Sequence, residues 1–98
     1  MARWKKPTKE QILENRRTLA VRARNGDLRL PQAVADIRKG FGMSQEEFAS
    51  SLRLTRRQVA EIEAGVANPT LETLVKIGRL FGFSVGFIPK TSLDDRER

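Results

Sequence analysis

Three times along this chain a hydroxyl side chain is followed, three residues later, by a glutamine or glutamate: Thr8 with Gln11, Ser44 with Glu47 and Thr55 with Gln58. That spacing is a capping box, in which the hydroxyl accepts from the third helical N–H and the longer side chain accepts from the cap's own N–H. Each pair therefore marks a helix start. The second and third boxes are close together. The helix opened by Ser44 turns Phe48, Ala49 and Leu52 inward, and the Thr55 box begins three residues beyond Leu52. Two capped helices joined by so short a turn form a helix-turn-helix candidate, from about Ser44 to Ala64.

The remaining elements follow from periodicity and punctuation. Met1–Pro7 reads as a flexible arm. The Thr8 box opens a helix over 9–24 with a broken apolar stripe of Ile12, Leu13, Leu19, Ala20 and Ala23, and Asn25-Gly26 stops it. Its other face carries Arg16, Arg17, Arg22 and Arg24. Pro31 suits the first turn of a second helix, in which Val34, Ile37 and Arg38 share a face. Gly40 and Gly42 end it. Beyond Gly65, Asn68-Pro69-Thr70 starts a last helix with Leu71, Leu74, Val75, Gly78 and Phe81 on one side, closed by Gly82. The period then changes. Phe83, Val85 and Phe87 alternate with Ser84, Gly86 and Ile88, which predicts a short strand stopped by Pro89. The expected divisions are a basic arm and helix over 1–29, a core over 30–83, a strand over 84–89 and a polar tail over 90–98.

Composition narrows the chemistry. With 39% hydrophobic and 32% charged residues, the chain reads as globular rather than disordered. No apolar run approaches the roughly 20 residues of a membrane span, and the start lacks the apolar stretch of a secretory signal. There is no cysteine, histidine or tyrosine. Thiolate and imidazole metal sites are excluded, and general acid–base work near neutral pH loses its usual agent. Ser50 and Ser51 sit in no nucleophile motif, and the acidic residues lack metal-ligand spacing. The expectation is a cytoplasmic, non-enzymatic protein without a cofactor.

Charge is unevenly placed. Residues 1–29 carry nine Lys/Arg against three Asp/Glu, whereas residues 30–81 carry seven against six. A basic block of this kind is a footprint for a polyanion, or else a solvated tail. The helix opened by Thr55 is more pointed. Val59 and Ile62 face inward, while Arg56, Arg57, Ala60, Glu61 and Ala64 fall on the opposite side. Two arginines in a first turn oppose the positive end of the helix macrodipole, a placement easier to understand if an anion neutralises it.

Residues from about Ala33 to Phe83 resemble the Xre/phage-repressor-type helix-turn-helix family. The resemblance is carried by GMSQEEFASSL, by LTRRQVAEIEAG and by NPTLETLVKIGRLFG. It implies an all-α, lambda-repressor-like domain, extended here by the N-terminal helix and the C-terminal β-strand. It also implies that the second helix of the motif enters the major groove of double-stranded DNA while the first braces against the backbone. Arg56, Arg57 and Glu61 match the base-reading positions, with Gln58 and Ala60 secondary. Gln45, Thr55 and Asn68 match positions that hold phosphates. The bland alternative for the arginines is a solvated face or an ion pair with Glu61. Arg38 and Glu63 match an interhelical ion pair. In one departure, Arg53 stands where the family's turn usually has glycine.

A single strand needs a partner for its backbone groups, so residues 84–88 are expected to form a ribbon between the two copies of a homodimer. The alternative is a tail docked on its own subunit. A dimer implies a palindromic operator. Trp4 is expected to be an exposed aromatic in the arm. Three roles compete: a transcriptional repressor, an antitoxin that binds a toxin protein and represses its own operon, and an interaction or RNA-associated scaffold.

Overall fold

The computed structural model describes residues 5–90, so Trp4 and the tail beyond Lys90 lie outside the described residues. Five helices follow one another: α1 (Lys9–Arg24), α2 (Gln32–Gly40), α3 (Gln45–Leu52), α4 (Arg56–Glu63) and α5 (Leu71–Phe81). All three expected capping boxes form, at Thr8, Ser44 and Thr55. Thr70 caps α5 through its hydroxyl alone, and α2 starts at Pro31 without a side-chain cap.

Helices α2 to α5 are too short to stand alone in water, so packing of their apolar faces holds them. One core gathers Val34 and Ile37 from α2, Phe48, Ala49 and Leu52 from α3, Val59 and Ile62 from α4, and Ile77 from α5. Phe48 and Val59 are almost wholly enclosed, each stabilising the fold by about 1.5–3 kcal/mol relative to exposure. Phe81 closes the bottom, stacked on Phe48 at 5.3 Å between ring centroids and edge-on to Phe41 at 4.9 Å. Core register in α5 differs from expectation. Leu74, Ile77, Gly78 and Phe81 turn inward, while Leu71 and Val75 are exposed. Gly78 explains this rotation. The carbonyl oxygen of Phe83 lies where its Cβ would be, so this face must abut the returning chain.

The expected C-terminal β-strand does not form. Among the described residues there is no strand, and the chain after Gly82 runs without a pairing neighbour. Phe83 N–H bonds back to Gly78 O at 2.8 Å, and Phe83 packs against the core. Beyond it, Val85 and Ile88 border an apolar cleft with Leu28, Val34 and Leu74, while Phe87 is fully exposed. Alternation reported two faces, but strand geometry also needs a ladder, which this chain does not supply. From Ser84 to Lys90 every residue is exposed.

The N-terminal extension also differs from a free arm. Leu19 is the one buried residue of α1 and sits against Gly40, where an added Cβ would lie 2.7 Å from its Cδ1. Asn15 donates to Gly40 O, Arg22 pairs with Asp36 at 2.9 Å, and Arg16 lies over the Phe41 ring. The preceding residues continue along the domain, with Lys6 Nζ 2.9 Å from Gly42 O and 2.7 Å from Glu47 Oε1.

Candidate nucleic-acid interface

Thr55 opens α4 by accepting from the Gln58 N–H at 3.1 Å, and its own N–H donates to Gln58 Oε1 at 2.8 Å. Gln58 is thereby tied to the cap through its amide oxygen, and its amide nitrogen is left to donate to a ligand. Val59 and Ile62 anchor the inner side of the helix. Outward in the first turn stand Arg56 and Arg57, with no acidic residue in that turn. Arg56 is exposed, and its side chain makes no hydrogen bond or ion pair among the described residues. Arg57 is 87% exposed and its Nε meets Glu61 Oε2 at 3.2 Å, so the ion-pair alternative describes its resting state. An exposed pair of this kind is worth only about 0.3–0.5 kcal/mol, and either partner can exchange it for a ligand at little cost.

The inner end of α4 is locked. Arg38 of α2 grips Glu63 with two parallel hydrogen bonds, Nε to Oε2 at 2.7 Å and Nη2 to Oε1 at 3.1 Å. Both side chains are about nine-tenths buried. Two further bonds complete the cluster, Arg38 Nη1 donating to Met43 O and Gln45 Nε2 to Glu63 Oε1 at 3.1 Å, and among the described residues no buried side-chain polar atom lacks a partner. The interhelical pair that the resemblance implied is therefore present, with a third member. Gln45, at the first position of α3, spends part of its amide on this cluster rather than standing free.

Arg53 adopts the left-handed conformation, φ 57° and ψ 40°. Its N–H reaches Ser50 O and the Leu54 N–H reaches Ala49 O, which is the bonding of a Schellman turn. Sequence reasoning missed Lys76, whose Nζ approaches Leu52 O at 3.4 Å and places a cation at the negative end of α3. Asn68 is exposed in the loop after α4, bordering a small cleft with Pro31 and Gly65. Lys6 was also missed, because its partners lie 36 and 41 residues away and no local pattern announces them. Glu47, which it contacts, has its carboxyl held below the ordinary value, first by the Lys6 hydrogen bond and then by the Ser44 N–H. Among the described residues no group of acidic side chains gathers as a metal site.

Two capped helices joined by a tight turn, the second held to α2 by a buried ion pair and bearing arginines on its outer face, define a helix-turn-helix domain. The chain belongs to the helix-turn-helix family, whose model matches residues 34–88. It is similar to the prophage-derived HTH-type transcriptional regulator YonR of Bacillus subtilis, with 38% identity over 53 residues, 54% of this chain and 49% of that protein. It is also similar to an HTH-type transcriptional regulator of Archaeoglobus fulgidus, with 35% identity over 48 residues, 49% of this chain and 69% of the relative. The chain thus spans about half the length of the first of these proteins. No solved structure gives a significant match. Among the described residues, no helix is long and apolar enough to cross a membrane.

Proposed function

We propose that this chain regulates transcription in the cytoplasm by binding double-stranded DNA through α4, repressing as a homodimer on a palindromic operator. The observation that carries this reading is the unpaired, exposed Arg56 beside Arg57 on an otherwise well-anchored helix. A guanidinium there can donate two parallel hydrogen bonds to guanine O6 and N7. Arg57 would leave Glu61 to do the same, or stay paired while the carboxylate accepts from a cytosine amino group. Gln45, Thr55 and Asn68 are assigned to phosphates, with Gln58 contributing its amide nitrogen.

The homodimer is supported by size. Eight residues make a helix only about 12 Å long, which reaches few base pairs. With each correct base pair worth about 1–3 kcal/mol, two half-sites are needed for operator-level discrimination. The wholly exposed Phe87 favours a protein contact as well, and it keeps the antitoxin with a toxin partner as the alternative. An overlapping toxin gene beside this one would favour that alternative.

The test is selection of bound duplexes from a random pool, followed by footprinting with wild type and with Arg56→Ala/Arg57→Ala. Loss of the selected site in the double variant is expected. Equal footprints would sink the assignment of α4 as the reading helix.

A further inference from the structure

The first turn of α3 carries Glu46 and Glu47 beside Gln45, the residue assigned to a phosphate. Two carboxylates there oppose a DNA backbone. Lys6 relieves this, because its ammonium sits 2.7 Å from Glu47 Oε1 and also bonds Gly42 O in the loop leading into α3. Pro7 packs on the same loop, 2.8 Å from where a Cβ on Gly42 would lie. The start of α1 is thereby fastened to the end of α3 that faces the proposed backbone contact.

What that placement brings along is positive charge. Lys5 and Lys9 flank the fastening point, are exposed, and their side chains make no hydrogen bond or ion pair among the described residues. Arg16 lies seven residues beyond Lys9, two turns along the same face, and its guanidinium sits 5.5 Å from the centre of the Phe41 ring. A basic stripe thus starts beside the Gly42 loop and the first turn of α3 and runs along α1. Farther along α1, Arg22 is paired with Asp36 and Arg17 lies 3.8 Å from Glu14, while Arg24 in the last turn is exposed.

Resting on the DNA-binding reading above, we propose that the beginning of α1 is a second grip on the DNA backbone, in which Lys5 and Lys9 bind phosphates outside the half-site read by α4. Charge complementarity and continuity with the Gln45 contact carry it. Lys6 acts as a positioning residue that cancels Glu47 and holds the stripe in place. The grip reads no bases, so it lends affinity without sequence preference.

The experiment compares full-length wild type with Lys5→Ala/Lys9→Ala on the duplex that wild type selects and on a scrambled duplex, across a salt series. Binding is expected to weaken by the same factor on both duplexes. The slope of log affinity against log salt should fall by about 2, since each phosphate no longer neutralised removes about 0.9 from it. Hydroxyl-radical protection outside the half-site should disappear while protection inside it persists. An unchanged slope with intact inner protection overturns the second grip and leaves the function standing, as does a loss confined to the selected duplex. If wild type selects and protects no duplex at all, the DNA-binding reading and the grip fall together. Thermal melts of both proteins guard against misfolding, and a Lys5→Gln/Lys9→Gln variant replaces the alanine pair if that pair melts early.

Discussion

Helices α3 and α4 have the same length and the same capping box, yet their first turns carry opposite charge. Glu46 and Glu47 open α3, where negative charge complements the positive end of the helix dipole. Arg56 and Arg57 open α4, where positive charge opposes it. At the other ends the contrast is also chemical. The turn after α4 uses Gly65 at φ 75°, a residue suited to that region, whereas the turn after α3 uses Arg53 at φ 57°. One helix is favourable at its start and strained at its exit, the other unfavourable at its start and relaxed at its exit. The α4 arrangement makes physical sense when an anion is expected at its N-terminus. In α3 the two carboxylates suit stability, with Lys76 near its last carbonyl and Lys6 on Glu47.

The largest effect separates the anchored side of α4 from its free side. Glu63→Ala leaves Arg38 buried without its carboxylate and removes the acceptor of Gln45, so urea unfolding should show a loss of about 3–5 kcal/mol. Replacing both members by apolar residues of similar volume should cost far less, since the pair offsets its own desolvation. On the outer face, Arg56→Ala should leave urea stability unchanged or raise it by a few tenths of a kcal/mol through relief of the dipole clash. It should nevertheless reduce discrimination between the selected and scrambled duplexes by about 1–3 kcal/mol. A large stability loss from Arg56→Ala would break the contrast between the two sides.

Next in size is the exit of α3. A non-glycine residue in the left-handed region costs about 1–2 kcal/mol, and glycine's extra unfolded-state entropy returns about 0.4–1 of that. Arg53→Gly should therefore stabilise the chain by up to about 1.6 kcal/mol, measured as a shift of the urea midpoint with unchanged slope. Destabilisation instead would mean that the Arg53 side chain contributes contacts that outweigh its backbone strain.

Most of the helical layout was legible in local sequence. Capping boxes are short-range chemistry, so α1, α3 and α4 begin where Thr8, Ser44 and Thr55 placed them. The Arg38–Glu63 pair became legible through the family resemblance, because nothing local links residues 25 positions apart. Three features were not legible. The inward rotation of α5 depends on the close approach of Phe83 to Gly78, a tertiary contact. The absence of strand pairing at 84–88 depends on a neighbour that alternation cannot report. Lys6 reads as part of an arm in the sequence because its anchors, Gly42 and Glu47, lie far along the chain. At the proposed interface, residue types were readable while their resting partners were not: Gln58 is held by its cap, Gln45 by Glu63 and Arg57 by Glu61.

The smallest effect concerns the third position of each cap. In α3 that residue is Glu47, which titrates, and in α4 it is Gln58, which does not. The Lys6 hydrogen bond, followed by the Ser44 N–H, favours the ionised carboxyl and lowers its pKa in the folded chain. A carboxyl with a depressed folded pKa contributes stability above its unfolded value, and that contribution is lost as pH falls through the folded one. Glu47→Gln should therefore destabilise the chain most near neutrality. Its deficit relative to wild type should shrink between about pH 5 and about pH 3, where ordinary glutamates protonate. Lys6→Met should remove most of the same pH-dependent difference, because it deletes the leading cause of the shift. Paired urea titrations across that range decide the matter. A deficit that stays constant with pH would mean that Glu47 works through packing and neutral hydrogen bonding, as Gln58 does, and the two caps would be equivalent in kind.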